Sequence, residues 1–300
     1  MTFDLVIVGH FSKDSTITPE IRREAMGGVP AYSLFLTKWN IKIGIVSKCG
    51  PDFLALYGEK IRKAGPVLAT SGDKTTEFVN KYNQDGSRTQ QVVTIAEPIQ
   101  VKDFPESFHK AKAVHFGPII NEIDTKLIHN VHSTGAFVSL DPQGFCRRLE
   151  RKNVIGTLWK EASEVLPSVH LLKMTERELK LVAPSCQEQG EAIKWIMDHG
   201  TKIVIVTRGA RGANIFTEEE EISIPALPTS AIDTTGAGDV FVLAFLGSFL
   251  KSRNVRDAAS YSGACAALST KVYGPTPEFE EQKLLAAVKT ARQTMTVQAR

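Results

Sequence analysis

The chain has 300 residues, 42% of them hydrophobic and 23% charged, and a formal net charge of +3. That is the make-up of one folded domain with a sizeable core, and the absence of any basic run leaves no footprint for nucleic acid. Cys49, Cys146, Cys186 and Cys265 are scattered without Cys-x-x-Cys spacing, which argues against a zinc site or disulfide framework and fits a reducing cytoplasm.

In chain order, Phe3–Gly9 (FDLVIVG) is a short apolar run ending in glycine, as a buried parallel strand would be. No signal-like segment precedes it, as expected of a cytoplasmic protein. A polar stretch carrying Asp14 follows and ends in Gly27-Gly28; Ala31–Trp39 then has a helical pattern and Ile41–Gly50 a strand pattern. Further strand-like runs are Lys112–Gly117, Ala136–Asp141, Val169–Met174 and Lys202–Gly209, with helical segments at Ile123–His132, Glu176–Leu181 and Gln187–His199. Strands alternating with helices predict an α/β architecture: a mainly parallel sheet covered on both faces, with ligands beyond the carboxyl ends of its strands. No apolar stretch reaches the ~20 residues of a membrane span.

Residues 73–96 break this pattern. Two runs of alternating polar and apolar residues flank Gln84-Asp85-Gly86, and Asp-Gly between such runs signals a hairpin. We expect residues 12–26 and 73–96 to form a small β-lid inserted within a single domain spanning 1–300.

Asp233-Thr234-Thr235-Gly236-Ala237-Gly238-Asp239 is the most informative stretch. Its glycines allow a sharp turn and close approach to a ligand, and the Pro-free apolar run Val240–Leu250 behind them reads as a buried helix. The turn therefore lies at a helix N-terminus, where unpaired amides and the helix dipole favour an anion. A carboxylate beside an anion site makes sense as a base: Asp239 takes a proton from a hydroxyl while the amides steady a phosphoryl group in transfer.

This stretch resembles the C-terminal signature of the ribokinase family, the PfkB-type carbohydrate kinases. The resemblance implies a ribokinase-like three-layer fold with a β-lid over the acceptor. It implies that Asp239 is the catalytic base and that the amides of Gly236, Ala237 and Gly238 form the anion hole, with Thr235 beside the nucleotide. Asp14 takes the place of the aspartate that grips the sugar, and Gly27-Gly28 matches the family diglycine. The chain then departs from the ribokinase pattern: Val29-Pro30-Ala31-Tyr32 replaces Lys-Gly-Ala-Asn, so the sugar-binding Asn is missing.

Leu140–Arg147 (LDPQGFCR) is more similar to the myo-inositol kinase branch, which implies that Gln143 and Arg147 contact hydroxyls or phosphate. Leu171–Val182 matches the segment in which a family Glu helps to hold magnesium through water, a place taken here by Glu178; Thr175 stands where Asn is usual, and Lys173 reaches toward the ATP phosphates. Thr175 with Glu178 three residues on is also a capping-box pattern, and both roles are compatible. Thr207, Gly209 and Gly212 match the family Thr-x-Gly-x-x-Gly that lies along the nucleotide, and Ser262–Pro277 resembles the segment lining the adenine pocket. No Gly-x-x-x-x-Gly-Lys occurs and no Gly-x-Gly-x-x-Gly follows the first strand, so neither a P-loop kinase nor a dinucleotide-dependent dehydrogenase is indicated.

The expectation is an ATP- and Mg2+-dependent kinase of a small polyol, with myo-inositol as acceptor and a nucleoside or ribose-type sugar as the alternative. From a different class, an idle relative that senses a polyol or nucleotide is opposed by the intact Asp239. A monomer and a homodimer are both compatible with the sequence.

Overall fold

The computed structural model describes residues 2–18, 20–82, 88–275 and 277–300. Short β-branched runs set its frame. A ten-stranded sheet runs in the order Val67–Ser71, Ile43–Lys48, Leu5–Val8, Ala113–Phe116, Phe137–Leu140, Leu171–Thr175, Ile203–Thr207, Ala213–Phe216, Glu220–Ile224 and Thr296–Ala299. The first seven strands are parallel and the last three continue antiparallel.

Alternation along each strand builds two cores. Leu5, Ile7, Ile43 and Ile45 point to one face, against the helices Pro51–Ala64, Ala237–Ser252, Val255–Ser269 and Glu281–Thr294. Val6, Val8, Val114 and Val138 point to the other, against Thr125–Ser133, Glu176–Val182 and Gln189–Asp198. Burial on both faces is why these strands read as continuous apolar runs. The result is the expected three-layer ribokinase-like α/β fold. No helix among the described residues is long and apolar enough to cross a membrane.

A second, six-stranded sheet runs Arg147–Glu150, Asn153–Gly156, Arg88–Thr94, Thr76–Tyr82, Ser12–Ile17 and Arg22–Gly27. Thr76–Tyr82 and Arg88–Thr94 pair antiparallel, while the Asp85-Gly86 turn expected between them lies outside the described residues. The strands at 147–156 were not foreseen. They form a hairpin closed at Arg151, whose φ is +58°, a conformation that the sequence does not mark with glycine. Arg147 thus opens a strand of this sheet.

One expected helix divides in two. Ala31–Trp39 is an α-turn, Val29–Ser33, followed by a tighter 3-10 turn, Leu34–Trp39. The Thr37 hydroxyl bonds back to the Leu34 carbonyl at 2.8 Å, three residues earlier, and Asn40 ends the segment in a left-handed conformation.

Candidate active site

Three of the residues singled out in the sequence stand at or near the carboxyl ends of the parallel strands, where open α/β sheets bind ligands. Asp141 follows strand Phe137–Leu140, Lys173 lies near the end of Leu171–Thr175, and Thr207 ends Ile203–Thr207. Opposite them, Ala237–Ser252 presents its N-terminus.

The turn into that helix is shaped by neighbours on both sides. Gly236 is the N-cap at φ +73°, and a Cβ there would stand 2.0 Å from ring carbons of Tyr32. A Cβ on Gly238 would stand 2.9 Å from Lys173 Nζ, so the ammonium lies directly beneath the turn. Asp233 Oδ1 accepts from the Thr235 amide at 2.9 Å, and the Thr270 carbonyl accepts from the Ile232 and Asp233 amides at 2.7 and 3.0 Å. The Ala237 amide makes a long bond, 3.3 Å, to the Thr234 carbonyl, and those of Gly238 and Asp239 make no intrahelical bond. Backbone donors and a lysine charge thus face the same point.

Asp239 is the first-turn acid of this helix. Burial pushes its carboxyl up to about 7; Lys173 and Arg147 pull it down, and Asp141 and Glu178 oppose them. A base poised near neutrality is what proton abstraction from an alcohol requires.

Lys173 is only 3% exposed and its Nζ lies 2.6 Å from Asp141 Oδ2. Burial alone would lower its pKa, but Asp141, Asp239 and Glu178 outweigh it and keep the ammonium charged. Asp141 Oδ1 also accepts from the Gln143 amide at 3.0 Å. The sequence marked both residues singly; their pairing comes from adjacent parallel strands in register Ser139–Leu171 and Leu140–Leu172.

Thr175 and Glu178 form a complete capping box. Glu178 Oε2 accepts from the Thr175 amide and hydroxyl at 2.8 and 2.9 Å, and Thr175 Oγ1 accepts from the Glu178 amide at 3.2 Å. Thr207 donates to the Met174 carbonyl at 3.3 Å. Gly209 and Gly212 sit at φ +56° and +90°, and a Cβ on Gly212 would stand 2.0 Å from the Ile224 carbonyl oxygen. Sheet packing therefore accounts for glycine at 212.

On the second sheet, Ser12 donates to Asp14 Oδ1 at 2.8 Å, and a Cβ on Gly27 would stand 2.2 Å from Asp14 Oδ2. The diglycine makes room for this carboxylate, and Gly28 crosses close over the His10 carbonyl at φ +80°. A crevice of about 520 Å³ opens between the two sheets. Asp14, Arg23 and Glu24 line one wall, and Tyr32, Tyr57, Lys60, Asp233, Thr234, Thr235 and Tyr273 line the rest. Gln143 and Arg147 do not line it. The Arg147 guanidinium donates to the Ile119 carbonyl at 2.9 Å.

A smaller hollow of about 190 Å³ lies between the segment after strand Glu220–Ile224 and the ends of the last helices. Leu227, Pro228, Thr229, Ala267, Leu268 and Ala287 are among its walls. The Thr229 hydroxyl is buried there with no hydrogen-bond partner among the described residues. Arg23 and Thr229 were missed in the sequence because nothing local marks them, and Tyr32 stood there only as the last residue of the run after the diglycine.

Residues 141–282 match the family model described as pfkB family carbohydrate kinase. This chain carries a pfkB family carbohydrate kinase domain. It is a phosphotransferase acting on a sugar or polyol. A relative from Thermococcus kodakarensis named cytidine kinase is 27% identical, over 85% of this chain and 91% of its own length. Two solved structures share the fold. One is a pyrophosphate-dependent kinase in the ribokinase family complexed with a pyrophosphate analog and myo-inositol, with a TM-score of 0.80, 24% identity and coverage of 94% of this chain and 99% of that one. The other is Arabidopsis thaliana ribokinase complexed with ribose and ATP, with a TM-score of 0.74, 22% identity and coverage of 96% and 99%.

Proposed function

We propose that the kinase transfers the γ-phosphoryl group of ATP to a hydroxyl of a small cyclic polyol. One observation carries the reading: a carboxyl held at about 7, Asp239, stands at a glycine turn underlaid by the Lys173 ammonium, with the Asp14 carboxylate in the adjoining crevice. Asp14 orients the acceptor. Asp239 removes the proton of the attacking hydroxyl. The amides of Gly236, Ala237 and Gly238, with Lys173 beneath, balance the charge of the phosphoryl group in flight. Thr235, Thr207, Gly209 and Gly212 border the nucleotide.

Among the described residues no three His, Cys, Asp or Glu side chains gather to hold a metal. The carboxylate of Glu178, whose Oε2 accepts from the Thr175 amide and hydroxyl, would be the protein partner, through water, of a Mg2+ carried on the phosphates. Bound there, the ion neutralises phosphate charge.

The donor reading rests on the 190 Å³ hollow. Its mainly apolar walls, with Thr229, Thr290 and Lys271 as the polar groups, suit a flat base with a polar edge. Pyrophosphate would leave it empty.

For the acceptor, myo-inositol is supported by the Gln143-Gly144-Phe145-x-Arg147 run and the diglycine. A nucleoside is the second reading. The 520 Å³ crevice with Tyr32, Tyr57 and Tyr273 in its walls favours an acceptor carrying a flat ring, and the Thermococcus kodakarensis relative bears a cytidine kinase name.

The test is product release with Mg-ATP or Mg-pyrophosphate against myo-inositol, ribose, fructose, cytidine, adenosine and guanosine. Turnover of myo-inositol with ATP supports the first reading, and turnover of cytidine supports the second. Activity with pyrophosphate alone overturns the donor. ATP binding without turnover of any acceptor would make the chain a sensor.

A further inference from the structure

The second sheet and the donor side of the site meet across the mouth of the crevice at Arg23 and Tyr273. Arg23 lies on strand Arg22–Gly27, opposite Thr16 and two residues along the pair from Asp14. Its guanidinium carbon stands 3.6 Å from the centre of the Tyr273 ring. Arg and Tyr stack in this way because the planar cation is drawn to the electron-rich ring face.

Tyr273 occupies a segment with three separate duties. Just before it, Ala267, Leu268 and Lys271 wall the small hollow proposed for the base. Between them, the Thr270 carbonyl holds the amides of Ile232 and Asp233, at the entrance to the catalytic turn. Tyr273 and Gly274 then wall the acceptor crevice, opposite Asp14. One short stretch therefore borders the small hollow, braces the turn and receives the side chain that reaches over from the second sheet.

We propose that the Arg23–Tyr273 stack is a latch coupling the two substrate sites, so that a bound nucleotide closes the second sheet over the acceptor. The inference rests on the kinase reading above. A base seated against Ala267 and Leu268 fixes the segment and presents the Tyr273 ring; Arg23 docks on it and draws its strand, with the Asp14 pair, over the crevice. The contact suits a latch because it is weak enough to open: the Tyr273 side is 54% exposed and Arg23 is exposed. By linkage, the acceptor must then tighten nucleotide binding by the same factor as nucleotide tightens acceptor binding. Arg23 and Tyr273 act as positioning residues, touching no reacting atom.

The test follows amide hydrogen exchange of Arg22–Gly27 with and without adenylyl imidodiphosphate in the wild type, Arg23→Gln, Tyr273→Leu and Tyr273→Phe. The analogue should slow exchange of this strand in the wild type and in Tyr273→Phe, which keeps a ring. It should lose that effect in Arg23→Gln and Tyr273→Leu. In those two variants KM for both substrates should rise about two- to fivefold, the scale of an exposed cation–π contact, with kcat little changed. Binding of the analogue with no effect on the wild-type strand, or an equal effect in Tyr273→Leu, overturns the latch alone. An analogue that does not bind at all overturns the donor reading and the latch with it.

Discussion

The Tyr32 ring lies so close to Gly236 that a Cβ at 236 would stand 2.0 Å from its carbons. Tyr32 follows the diglycine and is 5% exposed, so the segment after the diglycine and the turn at 233–239 are packed directly on each other. Any side chain at 236 must push this ring aside and also adopt a left-handed backbone. We expect Gly236→Ala to cost at least about 1 kcal/mol from backbone conformation alone and to abolish most turnover by moving the turn. Tyr32→Ala should relieve the clash, so the double variant should lose less stability than the two single losses added together. Strict additivity in denaturant unfolding would show that the two turns are independent.

Asp239 gives a pH prediction. The ionised form must act as base, and burial holds the carboxyl up to about 7. kcat/KM should therefore rise with pH through an apparent pKa near that value and then level, with Lys173 staying charged throughout. Asp239→Asn should lose the limb and at least ~100-fold in kcat. Stability carries the opposite sign. A carboxyl whose folded pKa is raised holds its proton longer in the native state, so its contribution falls as pH climbs from about 4 to about 7. Asp239→Asn should consequently unfold no earlier than the wild type at pH 8. A lower Tm there would mean that the Asp239 carboxylate is stabilised in the fold.

What the sequence revealed and what it hid differ in range. The turn at 233–239 was legible because glycines, flanking acids and the apolar helix are consecutive. Six of the seven parallel strands were legible because burial on both faces makes them apolar; the seventh, the half-exposed edge strand Val67–Ser71, was not read there. Strand Asn153–Gly156 was not: it joins the second sheet beside Gln91, and its polar hairpin turns at Arg151 without a glycine. The Tyr32–Gly236 and Arg23–Tyr273 contacts join distant segments, so no spacing rule points to them. Thr175 and Glu178 show the opposite limit, since a capping box and a metal-linked acid share one sequence pattern.

The Lys173–Asp141 pair lends itself to a stability test. Both side chains are at most 4% exposed and their charged atoms are 2.6 Å apart. Removing one partner strands a buried charge, so Lys173→Met should cost about 3–5 kcal/mol. Replacing both, with Asp141→Leu added, should recover much of that loss while leaving the enzyme inactive, because the charge beneath Gly238 is gone. A single variant that loses under about 1 kcal/mol in urea unfolding would show that water reaches the pair.

Glu178 carries two proposed roles that one pair of substitutions separates. Its Oε2 atom holds the amide and hydroxyl of Thr175, a structural duty. Glutamine at the third helical position serves a capping box as well as glutamate does. Glu178→Gln should therefore leave thermal stability within about 0.5 kcal/mol of the wild type, the range of neutral substitutions. It should nevertheless raise the Mg2+ concentration needed for half-maximal activity, because the negative charge is lost. Thr175→Val removes the hydroxyl cap and should cost about 1 kcal/mol. Titrating Mg2+ against initial rate for both variants decides between the roles. If Thr175→Val shifts the Mg2+ midpoint as much as Glu178→Gln does, the cap geometry governs the metal. If only Glu178→Gln shifts it, the carboxylate charge faces the ion.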